Sequence, residues 1–280
     1  MVNFNGTITE YTQTHLADNR AFLYGDAVFE TIKSLDGKIL FLEDHYFRLM
    51  SSMRILRMEI PMYFTMEFLE EEIQKTIAAH PQEATSYRIR ITCFRIGKGK
   101  YTPDNRNIEY LITTEPLTEA LYSITDQAYE IEIFKDFHVS KHLLSTIKST
   151  NRLINITAGI FAEENDYANV LLINEDKNVV EAIHGNVFVV SGNQIATPPI
   201  SDGCIQGIMR KKIKAIVEKW EEYEWIERSI SPFELQKADE IWISNVIMGV
   251  QPVTKYRKKE YRADVAKQLV TRLNSVIRLD

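Results

Sequence analysis

Alternating hydrophobic and polar residues predict several strands in the first part of the chain. Residues 28–35 and 38–42 flank Asp36-Gly37, a dipeptide typical of two-residue hairpin turns. Residues 86–95 alternate strictly between apolar and polar side chains, which predicts a half-buried strand. Residues 108–114 follow it and are expected to pair with it.

Apolar residues at helical spacing predict the helices. In the first part of the chain these helices cover residues 43–56 and 64–79. In the second part the predicted elements, in order, are a helix over 149–164, strands over 170–173, 179–183, 187–190 and 194–197, a helix over 207–223, a strand over 240–244 and a helix over 263–279. Strands and helices mixed in this way indicate an α/β fold class.

The length of 280 residues favours two modest domains over one core. Residues around 119–128 mix proline, threonine, serine and aspartate without a clear period and are expected to be the linker. We therefore predict a smaller N-terminal α/β domain over 1–118 and a larger C-terminal domain over 129–280.

The composition is that of a packed globular protein, with 45% hydrophobic and 26% charged residues. The net charge of −6 argues against a nucleic-acid surface, and the basic run 255–259 is expected to be a solvated turn. Cys93 and Cys204 lie far apart with no histidine cluster nearby, which indicates a reducing compartment and no metal site. Since neither a signal peptide nor a long apolar run is visible, we expect a cytoplasmic protein without a membrane span.

Two side chains stand out as candidates for chemistry. Lys148 follows an apolar stretch and precedes Ser149-Thr150-Asn151, which is expected to begin a helix. Burial lowers the pKa of an amine and makes it nucleophilic. Glu181 sits in an apolar strand, where it is either an exposed edge residue or a buried carboxylate that needs a cationic partner. A reactive amine and a carboxylate that keeps a pyridine nitrogen protonated are what pyridoxal phosphate requires.

A phosphate site is a further candidate. Residues 203–210 (GCIQGIMR) lead into a helix, whose first N–H groups and dipole favour an anion, although glycines there also suit an ordinary turn. Arg48 could bind a phosphate through two hydrogen bonds or be a helix-surface residue.

Motifs along nearly the whole chain resemble those of class IV (fold type IV) pyridoxal-phosphate enzymes. This family includes branched-chain aminotransferases, D-amino-acid transaminases and 4-amino-4-deoxychorismate lyases. The matching segments, in order, are NRAFLYGDAVFETIK, HYFRL, IKSTNRL, VVEAIHGNVFVV, IATPP, GIMR and ADEIWISNVIMGVQPV. The resemblance implies that 129–280 is the cofactor-binding domain, with a barrel-like sheet.

The resemblance also implies roles for individual residues. Lys148 matches the lysine that attaches to the cofactor and then transfers a proton, and Glu181 matches the acid on the pyridine nitrogen. Arg48 matches an arginine that binds the phosphate. The remaining cofactor-binding matches are Asn186 in the turn below the ring, Ile208 and Met209 through their backbone amides, and Asn245 in a loop near the phosphate.

Three features of the sequence favour the lyases within this family. The run Asn151-Arg152-Leu153 and the segment 245–253 (NVIMGVQPV) look like lyase motifs. Thr31 matches a threonine that helps to protonate the departing pyruvate. Residues 95–102 resemble a substrate loop, so the substrate carboxylates are expected to meet Arg95, Lys98, Lys100 or Tyr101; a basic, flexible hairpin tip is the equal alternative.

The expected function is therefore cleavage of 4-amino-4-deoxychorismate to p-aminobenzoate and pyruvate, in folate biosynthesis. The alternative on the same fold is an aminotransferase of branched-chain or D-amino acids, and a second rival is a non-catalytic protein that retains the cofactor. In either enzyme the partner is a small amino-bearing substrate, and the family resemblance implies a homodimer.

Overall fold

The structure is a computed structural model that describes residues 1–10, 16–125 and 127–279. It consists of two compact units. The first comprises Met1–Ala120 and Ile147–Asn151, and the second comprises Leu121–Thr146 and Arg152–Asp280. Both units combine helices with sheets, so the α/β fold class is confirmed.

The first unit contains one six-stranded antiparallel sheet. Its elements are β1 (Val2–Phe4), β2 (Thr7–Thr9), α1 (Arg20–Tyr24), β3 (Ala27–Leu35), β4 (Lys38–Ile39), α2 (Leu42–Ile55), α3 (Met66–Ala78), β5 (Ser86–Arg95) and β6 (Ile108–Pro116). The strand order is β2-β1-β6-β5-β3-β4. The predicted hairpin is confirmed: Leu35 pairs with Lys38, and Asp36 and Gly37 both have positive φ, as a tight hairpin turn requires.

The core of the first unit lies between this sheet and helices α2 and α3. Strand β5 buries the apolar residues that the alternation assigned to one face, and β6 pairs with it as expected. Helix α2 contributes three buried apolar side chains and α3 contributes two, which pack on residues of β3 and β5: Leu49, Met50, Met53, Leu69, Ile73, Val28, Ile32, Ile89 and Ile91. Every residue of β3 except the half-buried Thr31 is buried.

The second unit contains two five-stranded sheets. Its elements are β7 (Glu130–Ile133), α4 (Leu143–Thr146), α5 (Leu153–Glu164), β8 (Asn169–Ile173), β9 (Val179–Ala182), β10 (Asn186–Ser191), β11 (Gln194–Thr197), α6 (Ile208–Val217), β12 (Glu224–Glu227), α7 (Pro232–Leu235), β13 (Glu240–Asn245), β14 (Gly249–Pro252), β15 (Lys255–Tyr256), β16 (Lys259–Glu260) and α8 (Asp264–Leu279). The strand orders are β12-β11-β10-β13-β14 and β16-β15-β7-β8-β9.

Strand β8 shows how the second unit is layered. Every residue of this strand is buried, because Leu171 and Ile173 join a core shared by both sheets while Val170 and Leu172 face α5. A strand that is covered on both faces reads as a continuous apolar run rather than an alternation. Glu181 belongs to β9, which pairs with β8 in this doubly covered layer.

Two predicted helices differ from those observed. The helix expected over 149–164 begins only at Leu153, because residues 147–151 lie extended beside β3 in the first unit. The helix expected over 207–223 ends at Val217, where the chain turns and buries Trp220. In the described ranges no helix combines the length and apolar character needed to cross a membrane.

Candidate active site

Lys148 lies on a short extended segment that pairs with β3. Its carbonyl accepts a hydrogen bond from Phe29 N–H at 2.8 Å, and Thr150 N–H donates to Ala27 O at 3.0 Å. The amine is half-buried, with Nζ 4.4 Å from the centre of the Phe29 ring. The backbone of the lysine is therefore held against a strand, and not directly before a helix as the sequence analysis expected, because the helix begins only at Leu153.

The residues after Lys148 are bound to the turn at Gly25. Thr150 Oγ1 and Asn151 Nδ2 each donate to Gly25 O at 3.1 Å. Gly25 has a φ of +62°, and a Cβ there would lie 2.3 Å from Asn151 Oδ1. Position 25 therefore has no room for a side chain beside Asn151, and the contact between the two residues holds the backbone that carries the amine.

Arg48 belongs to a buried ionic cluster between α2 and β3. Its Nε and Nη2 donate to the two carboxylate oxygens of Glu30 at 2.7 and 2.6 Å, and His45 Nδ1 lies 2.7 Å from Glu30 Oε2. Burial raises the pKa of Glu30, but the charge and hydrogen bonds of Arg48, with those of His45, outweigh it and lower the pKa from 4.5 to about 2. Glu30 thus orients the arginine that the sequence proposed for phosphate, and that role remains a prediction.

Thr31 follows Glu30 in β3 and lies opposite Arg90 of β5, half-buried. The guanidinium of Arg90 sits 3.8 Å from the centre of the Phe29 ring, whose other neighbour is the Lys148 amine. Burial lowers the pKa of Arg90. Thr31, Phe29 and Lys148 are thus brought to one region of the first unit, and the proton-donor role of Thr31 stays a prediction.

The four candidates for substrate carboxylates differ in exposure. Arg95 is buried: its Nη1 donates to Asp26 Oδ2 at 3.1 Å and its Nη2 donates to Leu56 O. These contacts give Arg95 a structural task, and its substrate role is a prediction without geometric support. Lys98, Lys100 and Tyr101 are exposed on the loop between β5 and β6.

Glu181 lies on β9 with 5% of its surface exposed, which resolves the choice between edge and interior in favour of burial. Its Oε2 accepts a hydrogen bond from Ile205 N–H at 2.9 Å. This hydrogen bond orients the buried carboxylate, and a buried carboxylate needs a partner such as a cationic ring nitrogen.

Asn186 is the first residue of β10, and it binds the carbonyl of Ile205, whose N–H is bound by Glu181. Its Nδ2 donates to Ile205 O at 2.8 Å, so the peptide groups on either side of Ile205 are bound by Glu181 and Asn186. Gly207 follows as the residue before α6, and a Cβ at Gly207 would lie 2.0 Å from Asn186 Oδ1. The amide of Asn186 therefore lies against the residue before α6 and leaves no room there for a side chain.

Helix α6 starts at Ile208 and Met209, the two residues predicted to bind phosphate through their amides. Within the part of the chain that the structure describes, no side chain caps this helix at Gly207. The first N–H groups of a helix have no partner inside it and carry the positive end of the helix dipole, so this end can hold an anion.

Asn245 ends β13 and organises the turn after it. Its Nδ2 donates to His184 O at 3.1 Å, and its Oδ1 accepts hydrogen bonds from the N–H groups of Ile247 and Met248. It thereby links the loop after Glu181 to the turn 245–248. Whether Asn245 also contacts cofactor stays a prediction.

Sequence reasoning missed Glu30, His45 and Arg20. Each is a charged or titratable residue that is almost completely buried, and each is bound to another charged group. Their partners Asp26 and Arg48 were visible in the sequence, but each pair joins residues of different elements, and the spacing along the chain gives no signal of such pairing. A metal site was not expected, and within the described ranges no group of metal-binding side chains is found.

Comparison with known proteins assigns the chain to a family. Residues 27–256 match the family model Amino-transferase class IV, so the chain belongs to this family and the resemblance found in the motifs is confirmed.

Individual relatives come from different branches of this family. The aminodeoxychorismate lyase of Vibrio harveyi is 24% identical over 93% of this chain and 94% of its own. The D-alanine aminotransferase of Staphylococcus epidermidis is 25% identical over 85% and 82%, respectively. The solved structure of the branched-chain amino acid aminotransferase of Thermobaculum terrenum in its PLP form superposes with a TM-score of 0.84, at 22% identity, over 99% of this chain and 93% of that one. The structural likeness shows a shared fold.

Proposed function

We propose that this protein binds pyridoxal phosphate and cleaves 4-amino-4-deoxychorismate to p-aminobenzoate and pyruvate. The observation that carries the proposal is the Lys148 segment. Its lyase-like residue Asn151 is bound to Gly25 and fixes the backbone of the amine beside Phe29. The aminodeoxychorismate lyase of Vibrio harveyi, which aligns over 93% of this chain and 94% of its own, also supports the proposal.

The residues present fit the cofactor. Pyridoxal phosphate, when bound, supplies a ring that stabilises negative charge on the carbon next to the substrate nitrogen. Glu181 would hold the proton on the ring nitrogen, since its carboxylate is buried and already oriented by Ile205 N–H. The uncapped first turn of α6, at Ile208 and Met209, would bind the phosphate, together with the guanidinium of Arg48.

The reacting groups belong to the first unit. Lys148 would bind the cofactor covalently and, once displaced by the substrate amine, take the proton from the amine-bearing carbon. Elimination of pyruvate would then be driven by aromatisation of the substrate ring. The hydroxyl of Thr31 would donate the proton that the departing pyruvate requires.

Transamination of branched-chain or D-amino acids is the second candidate, supported by the aminotransferase relatives. Both reactions use the same first proton transfer from the amine-bearing carbon. They would differ afterwards, because a transaminase would release the keto acid of its amino-acid substrate and no p-aminobenzoate. Fold alone does not decide between them.

The test is to incubate the purified enzyme and pyridoxal phosphate with 4-amino-4-deoxychorismate, without any amino acid, and to measure p-aminobenzoate. We expect product formation by the wild type and its loss in Lys148→Ala. Lys33→Met is the matched control, because Lys33 is also buried and burial lowers its pKa; it should retain activity. No p-aminobenzoate, together with turnover of isoleucine or D-alanine against 2-oxoglutarate, would assign the protein to the transaminases instead.

We also infer that the working form is a homodimer. Helix α5 has no charged residue between Leu153 and Ala162, yet it exposes Leu153, Ile156 and Ile160. A group of exposed large apolar side chains of this kind is normally covered by a partner. A second copy of the chain would cover this face, which we call the α5 face.

A further inference from the structure

Arg20 is a buried arginine at the start of α1 that binds a loop far along the chain. Its side chain is almost completely buried. Nη1 donates to three successive carbonyls, those of Lys98, Gly99 and Lys100, at 3.4, 3.1 and 2.9 Å. These three carbonyls belong to the loop formed by residues 96–105, which we call the 96–105 loop. Arg20 thus binds this loop to α1 through the loop's backbone, whatever side chains the loop carries.

The other end of Arg20 is held just as firmly. Nε donates to Asp26 Oδ2 at 2.9 Å, and the same oxygen accepts a hydrogen bond from Arg95 at the base of the loop. The guanidinium also lies 4.9 Å from the centre of the Tyr24 ring, which in turn contacts Tyr101. Charge-assisted hydrogen bonds in a buried setting are among the strongest that proteins make.

The loop is also shaped from within. Gly97 and Gly99 have φ values of +100° and +91°, and a Cβ at Gly99 would lie 2.4 Å from Thr102 O. Lys98 N–H donates to Asp104 Oδ1 at 2.7 Å, and Asp104 N–H donates back to Lys98 O. The backbone of the loop is therefore bound within the loop as well as by Arg20.

The backbone that Arg20 binds carries two positively charged side chains. Lys98 and Lys100 are exposed, while the carbonyls of the same residues are bound to Arg20. A cation on a preorganised backbone binds an anion at a lower entropic cost than one on a mobile loop.

We propose that Arg20 is a positioning residue: by binding the backbone of the 96–105 loop, it sets Lys98 and Lys100 to receive a carboxylate of the substrate. The part of this inference that concerns substrate binding rests on the proposed function. The part that concerns the structure of the loop is independent of the proposed function, because the hydrogen bonds between Arg20 and the loop do not depend on the reaction. Arg20 itself touches no reacting atom.

Trypsin tests the part that concerns the structure of the loop directly, because it cleaves after Lys98 and Lys100. Arg20→Lys keeps the charge beside Asp26 but cannot reach three carbonyls, and Gly99→Ala distorts the loop without changing Arg20. We expect cleavage at these two lysines in the holoenzyme to accelerate by at least about tenfold in both variants, because cleavage follows the open population. Arg88→Lys and Gly37→Ala are the matched controls: Arg88 pairs with Glu115 at the surface, and Gly37 has a positive φ with open space around it.

Steady-state kinetics test the part that concerns substrate binding. In Arg20→Lys and Gly99→Ala, KM for the substrate should rise by about tenfold while kcat stays within about twofold, since uniform binding is lost. Cleavage at the wild-type rate in Arg20→Lys would overturn the hold on the loop. Faster cleavage with an unchanged KM would overturn the role in substrate binding. A wild type that turns over neither substrate class would refute the proposed function, and the trypsin result would still decide the role of Arg20.

Discussion

At the scale of single residues, Ile205 connects the two proposed cofactor contacts of the second unit. Its N–H is bound by Glu181 and its carbonyl by Asn186, two residues before Gly207 and three before α6 begins. A change in Asn186 should therefore move the start of the helix, where the phosphate is proposed to bind, while the carboxylate of Glu181 remains.

This arrangement predicts a selective loss of affinity. Asn186→Asp places an acceptor against Ile205 O, and Gly207→Ala places a methyl group on Asn186 Oδ1. We expect each to weaken the binding of pyridoxal phosphate by about tenfold or more, with a smaller effect on pyridoxal, which lacks the phosphate. Equilibrium titration of both compounds measures this.

Gly159→Ala serves as the control for the added methyl group, because a Cβ at Gly159 meets no atom within 4 Å. It should bind both compounds as the wild type does. If Asn186→Asp weakened pyridoxal and pyridoxal phosphate equally, Asn186 would act on the ring and not on the helix start.

At the scale of elements, helix α2 is fastened to strand β3 by Glu30, His45 and Arg48. His45 is fully buried, and burial lowers its pKa although Glu30 opposes this. Both titratable groups therefore have folded-state pKa values below their ordinary ones. The unfolded chain takes up protons on them first, so acid must weaken the attachment of α2.

The stability of the protein should fall in two steps on acidification. Below pH 6.5, the ordinary pKa of histidine, protonation of His45 favours the unfolded chain. Below pH 4.5 the stability contributed by Glu30 is lost as the pH approaches its folded pKa of about 2. Urea unfolding at a series of pH values measures both steps.

Two variants separate the loss of stability caused by His45 and Glu30 from the loss caused by other titrating groups. His45→Gln should lose the step that begins at pH 6.5, and Glu30→Gln should lose its share of the lower one. Glu30→Gln should also lower the free energy of unfolding at pH 7 by about 3–5 kcal/mol, since Arg48 loses its buried partner. A wild type with the same stability at pH 7 and pH 5 would contradict the role assigned to His45.

The elements also show what local pattern can and cannot predict. The boundaries of β5 and the hairpin at Asp36-Gly37 follow from alternation and turn chemistry, which act within a few residues. The helix start near Ser149 was wrong because residues 147–151 pair with β3, more than a hundred residues earlier. The strands β15 and β16 have only two residues each, which is too short for an alternating pattern that would predict them.

For the site, the family motifs identified residues whose side-chain type suggests their role, such as the amine of Lys148 and the carboxylate of Glu181. They did not identify Arg20, because nothing local reveals that a guanidinium is buried among three distant carbonyls. They also made Arg95 one of four candidates for a substrate carboxylate; its side chain binds Asp26 and the Leu56 carbonyl, and the substrate role stays a prediction.

At the scale of the whole molecule, the α5 face predicts self-association. We expect sedimentation equilibrium to give twice the mass of one chain, and Ile156→Glu to shift the protein toward the monomer, because a charge would be buried in an apolar contact. Met62→Glu is the control, since Met62 is 99% exposed and lies away from α5 in the sequence. A wild type that stays monomeric at micromolar concentration would refute the dimer.

The path of the chain has a consequence for how activity arises. The polypeptide leaves the first unit after Ala120, returns to it for Ile147–Asn151 and leaves it again at Arg152. A truncated product that ends near residue 120 would lack the reactive amine, and a fragment that begins there would carry the amine without Phe29. The two pieces left by a cut near residue 120 should therefore be inert when separated, because neither would carry both Phe29 and Lys148.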